Sequence, residues 1–147
     1  MSQFDSSKLD WVSYNLGVIQ GFAECVGSGV KKIALSASMT RKQYDSVIED
    51  VKLIAKENYS KIYVDESFLE TLLFPVEYTS GKIVIHIYKD QRINDEYLAL
   101  KEKKRKHEAT GTYTMDIQRD VAWTFGKLLS YSDEAITRRY KIMGYTP

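Results

Sequence analysis

The sequence predicts an α/β fold: a small, mainly parallel three-stranded sheet, made of a β-α-β core plus one strand, with an N-terminal helix and two to three C-terminal helices. Three observations carry this expectation. Two short apolar runs, Ile33–Ala37 and Lys61–Val64, flank a segment whose apolar residues recur at helical spacing. A third run, Lys82–Tyr88, is β-branched and almost continuously apolar, the pattern of a strand buried on both faces and therefore central. The remaining long segments all carry helical periodicity.

From the N-terminus, Leu9, Val12, Leu16, Ile19, Ala23 and Val26 form one apolar face of a helix over about Lys8–Val26, with Ser7 and Asp10 at its start and Gly27-Ser28-Gly29 at its end. Gly17 and Gly21 lie one turn apart within it. Each costs about 1 kcal/mol of helix stability relative to alanine, which predicts close approach by another backbone. Strand Ile33–Ala37 follows. The next helix, about Arg41–Tyr59, carries the stripe Tyr44, Val47, Ile48, Val51, Ile54 and Ala55, and Thr40 with Gln43 forms a capping box at its start. Strand Lys61–Val64 completes a β-α-β unit of about thirty residues, which implies parallel strands.

Asp65–Phe74 reads as a short helix stopped before Pro75, and Tyr78–Gly81 as a turn into Lys82–Tyr88. Ile93 and Leu98 flank an N-cap at Asn94, and that helix runs through a charged tail to Gly111. Helices over about Met115–Leu129 and from Ser132 onward close the chain. With 147 residues, 44% of them hydrophobic and 28% charged, the composition is that of a folded chain rather than a disordered one, read here as a single domain over residues 1–147.

Charge and cysteine content narrow the function classes. Twenty-one basic and twenty acidic side chains leave a net charge of +1, so neither nucleic acid nor an anionic membrane is expected as a partner. The one cysteine, Cys25, can form no disulfide within the chain, Met1–Lys8 lacks the basic start and apolar stretch of a signal peptide, and no apolar run approaches a bilayer's width. A cytoplasmic location is expected.

The candidate site lies where a parallel sheet places its ligands, outside the carboxyl ends of its strands. Ser36-Ala-Ser-Met-Thr-Arg-Lys42 joins the first strand to the best helix. Free N–H groups at the helix start, hydroxyls of Ser36, Ser38 and Thr40, and the cations Arg41 and Lys42 suit an anion such as a nucleotide or sugar phosphate. Asp65 and Glu66 close the second strand on the same edge and suit a ribose or sugar hydroxyl, although Asp-Glu-Ser also reads as a helix cap. The leading expectation is thus an anionic small molecule bound by Ser36, Ser38, Thr40, Arg41, Lys42, Asp65 and Glu66, sensed or sequestered without turnover. No cofactor is indicated.

Two other classes stay open. His86, with Asp65 or Glu66, could supply acid–base groups to an enzyme, but a lone mid-strand histidine is more often a packed core residue. With one cysteine and no second histidine at ligand spacing, no metal site is expected. Alternatively, the C-terminal helices could form a protein-interaction or regulatory module. Trp11 and Trp123 flank the apolar stripes of their helices, a surface that a second copy of the chain could cover, and the basic run Lys101–Lys106 reads as a solvated helix face.

Overall fold

The structure, a computed structural model, describes residues 4–145; the first three residues of the Met1–Lys8 stretch and the last two of the 1–147 span lie outside the described residues. The order of elements is α1 (Trp11–Gly27), β1 (Ile33–Leu35), α2 (Arg41–Glu57), β2 (Lys61–Asp65), β3 (Val84–Tyr88), α3 (Gln91–Ala109), α4 (Met115–Leu128) and α5 (Asp133–Ile142).

The three strands form one sheet in the order β1-β3-β2, and β3 pairs antiparallel with both neighbours. The expected parallel sheet is therefore corrected. β1 and β2 do run in the same direction, as a helical crossover requires, but they are not adjacent. β3 is inserted between them. Its five residues are all buried, so the most apolar strand takes the one position shielded on both edges and both faces.

Side chains alternate along β3 and divide the core in two. Ile83, Ile85 and Ile87 pack against Ile19, Ala23 and Val26 of α1 and Val47, Ile48 and Val51 of α2. Val84 and Tyr88 face the opposite side, against Tyr97 and Leu100 of α3, Val121 and Phe125 of α4 and Ile136 of α5. The result is a thin sheet between a two-helix layer and a three-helix layer.

Local signals set most helix starts. Asp10 caps α1, accepting the Ser13 N–H at 2.9 Å. Thr40 and Gln43 form the capping box of α2 in full: the Thr40 hydroxyl accepts the Gln43 N–H and the Gln43 side chain accepts the Thr40 N–H. Ser132 caps α5. Two expectations fail. Asn94 is not a cap but a buried residue inside α3, which starts a turn earlier under Asp90, whose carboxylate accepts the Arg92 N–H at 3.0 Å. Residues 66–74 form no helix; they run irregularly while burying Phe68, Leu69, Leu72 and Leu73. Tertiary burial of these four side chains overrides a modest helical preference.

The glycines are also used differently from expectation. A Cβ at Gly17 or Gly21 would meet nothing within 4 Å, so no backbone approaches either position. Close approach occurs at the other end of α1, where a Cβ at Gly27 would lie 2.2 Å from the Asn58 carbonyl oxygen. Among the described residues, no helix is long and apolar enough to cross a membrane.

Candidate functional site

Strand β1 ends in a departure from regular pairing that shapes the site. The Ser36 N–H donates to the Ile85 carbonyl at 2.9 Å, and the Ser36 hydroxyl then takes the place of a ladder carbonyl by accepting the Ile85 N–H at 2.9 Å. That hydroxyl donates its own hydrogen to Ala37 O at 2.8 Å. The main chain is thereby released outward over Ala37 and Ser38, and pairing resumes at Met39 with Ile83.

The excursion forms one wall of a cavity of about 500 Å³, a size suited to a small molecule. Phe22 from α1, Leu35 at the end of β1, Phe68 and Phe74 from the irregular segment, and Tyr131 from the α4–α5 junction supply most of the remaining wall. Ser38 and Thr79 add hydroxyls, and Tyr78 stands at the side. Among the residues that line it, Lys31 is the one charged side chain. Its ammonium donates to the Leu129 carbonyl at 2.6 Å and lies 5.9 Å and 5.4 Å from the ring centroids of Phe22 and Tyr131. Burial pulls its pKa below the ordinary lysine range. The neighbouring Lys32 N–H donates to the Ser130 hydroxyl at 3.0 Å, so residues 31–32 are fastened to the α4–α5 junction.

The residues expected to bind an anion do not converge as a set. Ser36 and Ser38 both line the cavity, but the Ser36 hydroxyl is consumed by the strand ladder. Thr40 is engaged as the cap of α2. Arg41 is ion-paired with Glu66, and its guanidinium lies 5.2 Å from the Tyr44 ring; both partners of the pair are largely exposed. Lys42 is exposed. Asp65 is fully buried, inside the protein rather than at the edge of the sheet.

Asp65 is the hub of a buried polar network. Its carboxylate accepts from His86 Nε2 at 3.1 Å, from the Tyr97 hydroxyl, from Lys101 Nζ at 3.0 Å and from the Ser67 N–H at 3.0 Å. Tyr97 accepts in turn from the Leu69 N–H at 3.0 Å, and Lys101 also donates to the Ser67 hydroxyl. Burial by itself would raise the Asp65 pKa, but the donors His86, Tyr97 and Lys101 together hold it below the ordinary carboxylate value. Burial, then the Asp65 charge, pushes the Tyr97 hydroxyl up, so it remains a neutral donor.

The histidine half of the network is a core residue. His86 pairs across the sheet with Leu35 and Tyr63, lies 4.5 Å from the Tyr97 ring centroid, and is fully buried. Nε2 carries the proton that Asp65 accepts. Nδ1 has no hydrogen-bond partner among the described residues, so protonating it would bury an N–H without an acceptor. Burial accordingly lowers the His86 pKa, more than the adjacent Asp65 raises it. Neither His86 nor Asp65 lines the cavity, although Phe68 touches both the cavity and the His86 ring.

The basic run of α3 is largely engaged within the fold. Lys101 reaches Asp65, Lys103 pairs with Asp120, Lys104 donates to the Glu70 carbonyl at 2.9 Å, and Arg105 grips Glu102 through two bonds of 2.7 and 2.6 Å. Trp11 and Trp123 are both half-buried, and the Lys127 ammonium lies 5.8 Å from the Trp123 ring centroid.

Lys31, Phe22, Phe68, Phe74, Tyr78 and Tyr131 are the site residues that local sequence patterns miss. No protein-family model, curated protein or solved structure matches the chain.

Proposed function

We propose that the protein binds a small molecule with an apolar, preferentially aromatic body and an anionic group, and holds it in the cavity beside β1 without turning it over. One observation carries this reading: a largely aromatic wall contains a single charge, the half-buried Lys31 ammonium, with no carboxylate in the lining. A cation in such a setting has lost much of its water, and an incoming carboxylate or phosphate restores its electrostatic partner. The rings around it supply apolar area and flat faces for stacking.

The anion seat moves, relative to the sequence expectation, from Arg41 and Lys42 to Lys31. Arg41 already has Glu66 as a partner. The wall also favours an aromatic acid over a sugar phosphate, whose many hydroxyls would face phenylalanine and leucine. Binding without chemistry is supported by the placement of the acid–base pair: His86 and Asp65 touch, but both are sealed in the core, and Glu66 is bound to Arg41 at the surface.

Thermal-shift measurements with 2-naphthoate, decanoate, adenosine monophosphate and glucose 6-phosphate test the reading. 2-Naphthoate and decanoate are expected to raise Tm, Lys31→Met to abolish most of the rise, and Arg41→Gln to leave it in place. Ser38→Phe, which fills the cavity from its wall, should also abolish it and serves as the check if Lys31→Met does not fold. No rise with any of the four compounds, or an equal rise in both cavity variants, would refute it.

A further inference from the structure

Beside the cavity lies a second hollow of about 490 Å³, between the Leu73–Pro75 segment and α5. The two share Tyr78 and Tyr131, which line both. The second hollow is again lined by apolar groups, among them Leu73, Ile142 and Met143, and by two cations, Arg138 and Arg139. No aspartate or glutamate lines either hollow.

The cations on the two sides share one ring. Lys31 Nζ lies 5.4 Å from the Tyr131 centroid and the Arg139 guanidinium carbon lies 5.0 Å from it, so the two charges are no more than about 10 Å apart. Arg139 also lies 4.8 Å from the Phe74 centroid, so its guanidinium is close to two aromatic side chains. Holding like charges this close, with no carboxylate between them, costs free energy that a ligand with matching negative charges would recover.

The geometry points to a second anion subsite at Arg138 and Arg139, and hence to a ligand with an acidic group at each end of an apolar body: one end on Lys31, the other on the arginines, the body lying along Tyr78 and Tyr131. This rests on the cavity reading above and narrows its ligand class from monoanions to two-headed anions. Arg139, with its planar guanidinium, suits bidentate contact with a carboxylate or phosphate; Arg138, exposed at the rim, adds charge.

Decanoate and decanedioate form a matched pair of probes, because they differ in one terminal carboxylate and the flexible ten-carbon chain can bend to bring its two carboxylates within reach of both cations. Isothermal titration of the full chain with each gives the ratio of their Kd values. The expected ratio favours decanedioate by about tenfold in the parent protein, and falls to about one in the Arg138→Gln/Arg139→Gln double variant. Arg138→Gln alone, at an exposed position, should reduce the ratio at least about twofold and decides the matter if the double variant is unfolded by circular dichroism. Decanoate binding with no preference for decanedioate overturns the second subsite and leaves the cavity reading standing. A preference that survives in both variants overturns it equally. Failure of both probes to bind overturns the two-headed ligand, and 2-naphthoate titrated alongside decides the cavity reading separately: if it binds the cavity reading stands, and if it too fails the cavity reading falls.

Discussion

Replacing Asp65 by asparagine keeps the shape of the side chain and removes its charge. The carboxylate accepts four bonds: His86 Nε2 and the Tyr97 hydroxyl on Oδ2, Lys101 and the Ser67 N–H on Oδ1. A carboxamide offers one oxygen and one NH2 group, so two of the four donors must face another donor. If the NH2 group faces Lys101 and Ser67, it opposes an ammonium and a backbone N–H. If it faces His86, the imidazole can accept by moving its proton to Nδ1, which has no partner among the described residues. A buried unsatisfied donor costs about 1–3 kcal/mol, and breaking a buried charged network by removing one member costs about 3–5 kcal/mol. Lys101 retains 20% side-chain exposure and can turn to water, which places the expected loss near the lower end, about 3 kcal/mol. For a chain of this length that lowers Tm by roughly 6–12 °C. Urea unfolding at pH 7, followed by circular dichroism at 222 nm, measures it. A loss below about 1 kcal/mol would refute the view that Asp65 is a charged hub. Lys101→Met should cost distinctly less than Asp65→Asn, because it strands no fully buried charge without its other donors.

The glycines of α1 should respond in opposite directions: Gly17→Ala and Gly21→Ala are expected to stabilise by about 0.5–1 kcal/mol each, because helix propensity improves and nothing is struck. Gly27→Ala should instead destabilise by about 1–3 kcal/mol, since its Cβ meets the rigid Asn58 carbonyl; chemical denaturation of the three variants decides. Thr40→Ala should cost about 1 kcal/mol through loss of the capping box and leave 2-naphthoate binding unchanged; the same denaturation series with a ligand thermal shift checks both halves. His86 has a folded pKa below its ordinary value of 6.5, so the unfolded chain takes up its proton first: this contribution to stability is complete above about pH 6.5 and is lost as pH falls below it. Asp65, also lowered from its ordinary 3.8, adds a second loss below about pH 4. The His86 carbon-bound ring protons should keep neutral-imidazole NMR shifts at pH 6, and a titration midpoint at or above 6.5 would contradict the buried, partnerless Nδ1.

Much of the local structure could be read from short spans of the sequence. The Arg41 helix was marked by its apolar stripe and by Thr40 and Gln43, which lie three residues apart and bond to each other. The central place of β3 followed from its unbroken apolar run, and the common direction of β1 and β2 from the helix between them. Such signals are legible because the interacting groups are close in the chain. Asp65 shows where this stops. Its bond to the Ser67 N–H is the local turn that Asp-Glu-Ser suggests, yet the other three partners come from β3 and α3, and they turn a cap-like aspartate into a buried hub.

The sequence by itself determined the five long helices to within about a turn, the strand segments and the apolar faces, through propensity, periodicity and capping among near neighbours. Tertiary structure decided which strands touch: a crossover sets direction, but the burial demand of β3 placed it between β1 and β2 and made every pairing antiparallel. It also decided the site. Lys31 and Tyr131 acquire their relation only when the segment between α1 and β1 is fastened to the α4–α5 junction, 98 residues away along the chain. No periodicity reports a contact of that span, because it is selected by the packing of two helical layers on one thin sheet.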